Sequence, residues 1–249
     1  MVKKNGRKTI AITSGKGGVG KSSIASNMAY LLGDRSKSTF ILDADLSLGN
    51  IDIMFGMVSK FNIKHVMDGS RRMDEIILNG PCGIRIIPAT SGVSEFSELD
   101  QNEKAVLLNS LATLPEHDFL IVDTSAGISS NVVYFNALSE EIFVVVTPDP
   151  ASITDSYAMI KVLSTRTGRK DFNIVVNMVS QESEALELYK KLVGVTDRFL
   201  DVYLDYSGFV PLDKNVNAAT RRQRLWAQHF PNCEATRALS RICDRLVSE

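Results

Sequence analysis

The sequence predicts a doubly wound α/β fold: a mostly parallel sheet of about seven or eight strands flanked by helices. Three observations predict it. Short apolar, β-branched runs alternate with helical patterns along the 249 residues. Most of those runs are continuous rather than alternating, which suits strands buried on both faces of a parallel sheet. A glycine-rich loop joins the first run to the first helical pattern, and sheets of this kind receive ligands at the carboxyl ends of their strands.

In chain order, strands are read over Thr9–Thr13, Thr39–Asp43, Ile84–Pro88, Phe119–Asp123, Ile142–Thr147, Asn173–Met178 and Phe199–Leu204. Helices are read over Lys21–Leu32, Asn102–Leu114, Ser129–Ala137, Ile153–Thr165, Glu182–Val193, Asn215–Thr220 and Glu234–Val247. No internal repeat, low-complexity tract or linker interrupts the series, so residues 1–249 read as one domain. Hydrophobic residues make up 44% and charged residues 23%, an ordinary globular balance with enough apolar material for a sizeable core. The net charge of -1 gives no overall field toward nucleic acid or membrane, and direct DNA binding is not expected. Cys82, Cys233 and Cys243 are scattered, without metal-ligand spacing or a disulfide framework, and point to a reducing cytosol. The basic start Met1–Lys8 leads into the first strand rather than into an apolar signal region. No apolar run approaches the ~20 residues needed to span a bilayer. A cytoplasmic protein is expected, at most peripheral at the inner face of the cell membrane.

The glycine loop reads Gly15-Lys16-Gly17-Gly18-Val19-Gly20-Lys21-Ser22-Ser23. Its spacing, with four residues between Gly15 and Gly20-Lys21-Ser22, is that of a P-loop in the strand–loop–helix context the motif requires. The backbone N–H groups of such a loop, with a helix N-terminus behind them, form a cradle for phosphate. Lys21 is placed to reach the β- and γ-phosphates, and the Ser22 hydroxyl to ligate Mg²⁺. An ordinary glycine turn would leave the agreement of spacing and context without a reason.

Three further places carry chemistry. The strand Phe40-Ile41-Leu42 runs directly into Asp43-Ala44-Asp45. Two acids at the end of a buried strand are costly unless they meet a cation or a donor, so beside a P-loop they read as groups for Mg²⁺ and the attacking water. A pair of solvated turn acids is the plainer reading. Phe119-Leu120-Ile121-Val122-Asp123 reads as a Walker B strand whose carboxylate holds the water shell of the metal. Gly127, four residues on, would let the backbone approach the γ-phosphate and its neighbours change conformation on hydrolysis. Asn177 closes an apolar strand, and Val210-Pro211 lies in a short apolar loop; an amide and a stiff flat wall suit the edge and face of adenine, although a plain strand end explains them equally.

The second lysine of the loop, Lys16, gives the form Lys-Gly-Gly-Val-Gly-Lys-Ser, which resembles the deviant Walker A motif of the MinD/ParA group of P-loop ATPases. The likeness continues at Asp43 and Asp45 (switch I), at Asp123 to Gly127 (switch II), and at Asn177 and Val210-Pro211 (the adenine site). Within the group the chain is most similar to the FlhG/FleN family of flagellar-number regulators. The stretches that carry this are 42–52, Pro88-Ala89-Thr90-Ser91-Gly92-Val93, and Thr147 through Leu163.

The resemblance implies binding of ATP and ADP with Mg²⁺, and hydrolysis in a homodimer whose protomers face each other across the nucleotides. Lys16 then reaches the phosphates of the facing protomer, Asp45 orients or deprotonates water, and Asp43 and Asp123 organise the metal shell with Ser22 as direct ligand. The implied partners are the GTPase FlhF, flagellar C-ring proteins and a flagellar transcription regulator. MinD-like division-site and ParA-like segregation roles are the neighbouring alternatives, and a non-hydrolysing nucleotide-binding scaffold is an alternative of another class. Ser125 stands where the family commonly has proline, which leaves room for the scaffold. The family's N-terminal activating motif and terminal lipid-binding helix are not carried over to this sequence.

The last helix reads two ways. Ala235, Ala238, Leu239, Ile242, Cys243, Leu246 and Val247 recur at helical spacing, with Arg237, Arg241 and Arg245 on another face. That is either a weak membrane contact or a core-packed helix with a solvated basic face, and the small apolar face favours the latter. Arg221, Arg222 and Arg224 before Leu225-Trp226 form a second basic-aromatic cluster, read as a solvated helix face or as a surface for a partner protein or acidic lipid. His65, His117 and His229 read as structural, and Met54, Met57 and Met67 as core filling.

Overall fold

The computed structural model describes residues 7–46, 49–89 and 98–248. Ser47, Leu48 and Thr90 to Val93, which belong to the family-like stretches, lie outside the described residues, as do residues 1–6 of the basic start. The elements are β1 (Lys8–Ser14), α1 (Lys21–Asp34), β2 (Thr39–Ala44), α2 (Ile51–Met54), α3 (Ile63–Met67), α4 (Met73–Ile76), β3 (Leu78–Asn79), β4 (Arg85–Ile87), α5 (Gln101–Ala112), β5 (Phe119–Ala126), α6 (Ser130–Leu138), β6 (Glu141–Val146), α7 (Pro150–Thr167), β7 (Asp171–Val179), α8 (Glu182–Phe199), β8 (Tyr203–Pro211), α9 (Lys214–Arg221), α10 (Trp226–His229) and α11 (Glu234–Ser248).

The eight strands form one sheet in the order β3-β4-β2-β5-β1-β6-β7-β8. Every pairing is parallel except the two-residue edge strand β3, which runs antiparallel to β4. The inner strands are buried through their centres because helices cover both faces; β2, TFILDA, has no exposed residue. One core layer, with Met28, Leu32, Trp226 and Leu239, lies under α1, α10 and α11. Two more, around Phe40 and Phe135 and around Met159 and Phe172, fill the opposite side. Chain order reverses about β1: β5 and then β2 lie on one side of it, β6 on the other. The crevice at the carboxyl end of such a switch point is where a doubly wound sheet takes its ligand.

Several sequence expectations are corrected. Phe199–Leu204 is not a strand: α8 continues to Phe199, and the edge strand is Tyr203–Pro211. That strand is only half covered, so its apolar residues do not run together, and Gly208 sits at a bulge with φ 129° where the register against β7 slips. Val210 and Pro211 therefore end a strand rather than lie in a loop. Helix α7 starts at Pro150 rather than Ile153, because Asp149 caps it and proline suits its first position. The apolar face of α11 is buried, with Ala235, Leu239 and Cys243 fully covered beneath the sheet edge and α1, so that face is not available to lipid. Leu225 and Trp226 are likewise 2% exposed and belong to the core, which removes the aromatic half of the proposed partner cluster. No helix among the described residues is long and apolar enough to cross a membrane.

Candidate functional site

The loop between β1 and α1 occupies the crevice above the switch point. Gly18 and Gly20 have φ of 80° and 86°, left-handed values that glycine adopts without strain. Gly15 is pressed against α7: a Cβ there would lie 2.2 Å from the Asp155 carbonyl. Val19 is buried and anchors the loop, and Ser14 Oγ donates to the Lys16 carbonyl at 2.9 Å. Gly127 N–H, at the end of the Walker B segment, donates to the Ser14 carbonyl at 2.9 Å, so the second switch is hooked to the base of the phosphate loop.

The two lysines of the loop face different ways. Lys21 points inward, and its Nζ lies 2.7 Å from Asp123 Oδ1 and 3.3 Å from Ser22 Oγ. Lys16 points outward, is 38% exposed, and pairs with Asp149, the cap of α7. That pairing holds the Asp149 carboxyl below the usual carboxylate range.

Register brings the acids together. β2 and β5 are neighbours, with Asp43 opposite Asp123. Asp43 is 1% exposed and accepts N–H bonds from Asp45 at 3.1 Å, Asn50 at 2.8 Å and Ile51 at 3.0 Å, which fixes the start of α2. Burial pushes the Asp43 carboxyl up to about 7, the charge of Asp123 adding to the rise. Burial also raises Asp123; Lys21 opposes that shift, and Asp45 is near enough to reinforce it. Asp123 Oδ2 is buried without a hydrogen-bond partner.

These residues fit a hydrated Mg²⁺. An orphaned carboxylate oxygen beside a second buried acid calls for positive charge or a donor, and Mg²⁺ uses one or two carboxylates together with phosphate and water. Ser22, Asp43 and Asp123 would hold it.

A cavity of ≈ 170 Å³ opens beside the loop, lined by Gly20, Ser23, Asn177, Val210, Pro211 and Trp226, among others. Asn177 and Val210 are register partners on β7 and β8. Asn177 Nδ2 donates to the Val19 carbonyl at 2.8 Å, so its Oδ1 is the atom left to accept from a base edge. The structure thus places Gly15 to Ser23, Asp43, Asp45, Asp123, Asn177, Val210 and Pro211 around one crevice. Two residues of the site were not placed there from the sequence: Asp149 was read only within the family-like stretch Thr147 through Leu163, and Trp226 only within the basic-aromatic cluster. Asp149 carried a signal, an Asp-Pro pair opening a helix. Trp226 is the only tryptophan in the chain, and nothing in its neighbourhood ties it to the loop.

The three histidines are structural: His65 completes a capping box on α3, His117 packs edge-on against Phe40, and His229 Nδ1 contacts the Leu225 carbonyl.

Comparison with known proteins finds relatives that cover most of the chain. Residues 5–80 match the ParA family profile, described as NUBPL iron-transfer P-loop NTPase. The chain is 39% identical over 240 residues to the antiactivator FleN of Pseudomonas aeruginosa, covering 96% of this chain and 86% of that protein. It is 34% identical over 253 residues to the flagellum site-determining protein YlxH of Helicobacter pylori, covering 99% and 84%. Among solved structures it is similar to the septum site-determining protein MinD complexed with Mg-ADP from Pyrococcus horikoshii OT3, with a TM-score of 0.79 at 19% identity over 96% of each chain.

Proposed function

The chain belongs to the FlhG/FleN family of MinD/ParA-type P-loop ATPases, and on that footing we propose that it is an ATP-hydrolysing, dimerising switch that regulates flagellar number or placement. One observation carries the reading: a single phosphate loop presents one lysine inward, on the Walker B acid, and a second outward on the exposed rim. An inward lysine serves the phosphates of its own site. An outward one is positioned to leave Asp149 and reach the site of a facing protomer, as an arginine finger does.

Residues 1–249 act as one ATPase domain. Gly15 to Ser23 hold the phosphates of ATP or ADP. The base lies in the cavity of Asn177, Val210 and Pro211, with Asn177 Oδ1 accepting from the exocyclic amine of adenine. Ser22, Asp43 and Asp123 would hold Mg²⁺, whose charge would relieve the repulsion between the two acids. Asp45 orients the attacking water or takes its proton, and Lys16 of the facing protomer stabilises charge on the transferred phosphoryl group. ATP favours the dimer and hydrolysis releases it. The partners are those of flagellar regulators: the GTPase FlhF, C-ring proteins and a flagellar transcription regulator. Membrane association, where it occurs, is peripheral and does not use the buried face of α11.

Size analysis of the wild type and Asp45→Ala with ADP and with ATP tests this. The expected result is an ATP-dependent dimer that persists in the variant because hydrolysis is blocked. A wild type that stays monomeric with ATP at every concentration overturns the role of Lys16 between protomers. Tight ATP binding with turnover at the uncatalysed rate assigns the scaffold role instead.

A further inference from the structure

Trp226 is 2% exposed at the first residue of α10, and its indole Nε1–H donates to Ser23 Oγ at 3.0 Å across 203 residues of sequence. An indole nitrogen can only donate, whereas a hydroxyl carries one proton and two lone pairs. Ser23 therefore accepts from Trp226 and keeps its own proton for another acceptor. Two more bonds close a ring around the same residue. Ala227 N–H donates to Asn27 Oδ1 at 2.9 Å, and Asn27 Nδ2 donates to the Ser23 carbonyl at 2.8 Å. Asn27 is fully buried, so its bond from Ala227 is shielded from competing water, while Ser23 at the other side of the ring reaches the cavity. Ser23 stands in the first turn of α1 and lines the base cavity together with Gly20 and Asn177. A phosphate meeting its hydroxyl lies where the loop joins that cavity, which is the position of the phosphate attached to the nucleoside.

We propose that Trp226 is a positioning residue for nucleotide, fixing the Ser23 hydroxyl as a donor toward the α-phosphate of a bound nucleoside di- or triphosphate. The inference rests on the ATPase reading above and deepens it. The α-phosphate is common to ADP and ATP, so loss of this contact weakens both equally. A contact to the γ-phosphate would separate them.

The test is calorimetric titration of the full chain with ADP and with ATP. Trp226→Phe keeps an aromatic ring and removes the N–H; replacement of Trp226 by 3-benzothienylalanine removes the N–H at nearly constant shape and serves if the phenylalanine disturbs folding. Either change is expected to weaken ADP and ATP binding by the same factor, about fivefold, the worth of one neutral hydrogen bond. In steady-state turnover the effect falls on KM rather than kcat. In a Ser23→Ala background the same changes have no further effect, because the hydroxyl they orient is gone. A merely structural tryptophan would lower affinity in both backgrounds. An equal loss in the Ser23→Ala background, or an unaltered affinity in the 3-benzothienylalanine protein, overturns the inference while leaving the ATPase reading intact. A wild type that binds neither nucleotide overturns the ATPase reading and this inference with it.

Discussion

Lys21→Met is the perturbation whose effect follows most directly from the site. Lys21 Nζ lies 2.7 Å from Asp123 Oδ1, and the two side chains are 9% and 1% exposed. The variant keeps the apolar stem of the lysine and removes its charge. Asp123 is then a buried carboxylate whose other oxygen, Oδ2, already has no partner. Breaking a buried pair from one side costs about 3–5 kcal/mol, chiefly through the charge left behind. At about 2–4 °C per kcal/mol for a chain of this length, Tm of the nucleotide-free protein falls by about 10 °C near neutral pH. The loss depends on pH in a fixed direction. Burial already raises Asp123, and removing Lys21 raises it further. Between the ordinary carboxylate range and that raised value the folded variant binds more protons than the unfolded chain, so its stability falls as pH rises through this window. The difference from wild type therefore grows as pH rises through that window and shrinks toward its acid end as Asp123 becomes neutral. Thermal or urea unfolding without nucleotide measures it. The double variant Lys21→Met/Asp123→Asn recovers most of the loss, since neither charge remains. A Lys21→Met protein within about 1 kcal/mol of wild type at the alkaline end, or one whose loss is the same at both ends, refutes this account of the pair.

Gly15→Ala places a Cβ 2.2 Å from the Asp155 carbonyl carbon and oxygen and 2.7 Å from the Ser156 nitrogen. That is helix backbone and does not swing aside, so the loop must shift and ADP affinity falls about tenfold or more by calorimetry. Asp149→Ala releases Lys16 from a weak, solvent-screened ion pair, so the ATP-dependent dimer tightens modestly in sedimentation at low salt, and less at high salt. An unchanged or weaker dimer means the pair does not restrain Lys16. Burial holds His117 below its ordinary value, where it packs edge-on against Phe40 with ring centroids 5.1 Å apart. The neutral ring is the form the fold favours, so its contribution is present above the ordinary histidine value and is lost as pH falls through the lowered one. His117→Gln flattens the acid limb of the urea-unfolding profile below the ordinary histidine value; an unchanged limb counts against the reading.

Much of the site was legible before folding was considered, because a P-loop is a local device. Gly15, Gly20, Lys21 and Ser22 act through the backbone they share, and spacing alone identifies them. The fold class was legible for a related reason: buried parallel strands need continuous apolar runs, and β1, β2, β5, β6 and β7 have them. The edge strand β8 was misplaced because an edge is half covered, and half coverage erases that signal. Short helices α2 to α4 left no periodic trace at four or five residues each. What only the tertiary structure decided is which distant groups meet. Strand register sets Asp43 against Asp123, 80 residues apart, and makes two buried acids a site for a cation. The packing of α7 on the loop gives Lys16 a resting partner in Asp149, 133 residues away. The return of the chain across α1 puts Trp226 on Ser23. These contacts belong to no motif. They arise where a sheet order and three core layers bring together side chains that have no pattern in common, so the sequence alone determines the phosphate loop and the tertiary packing determines how its two lysines and its last serine are held.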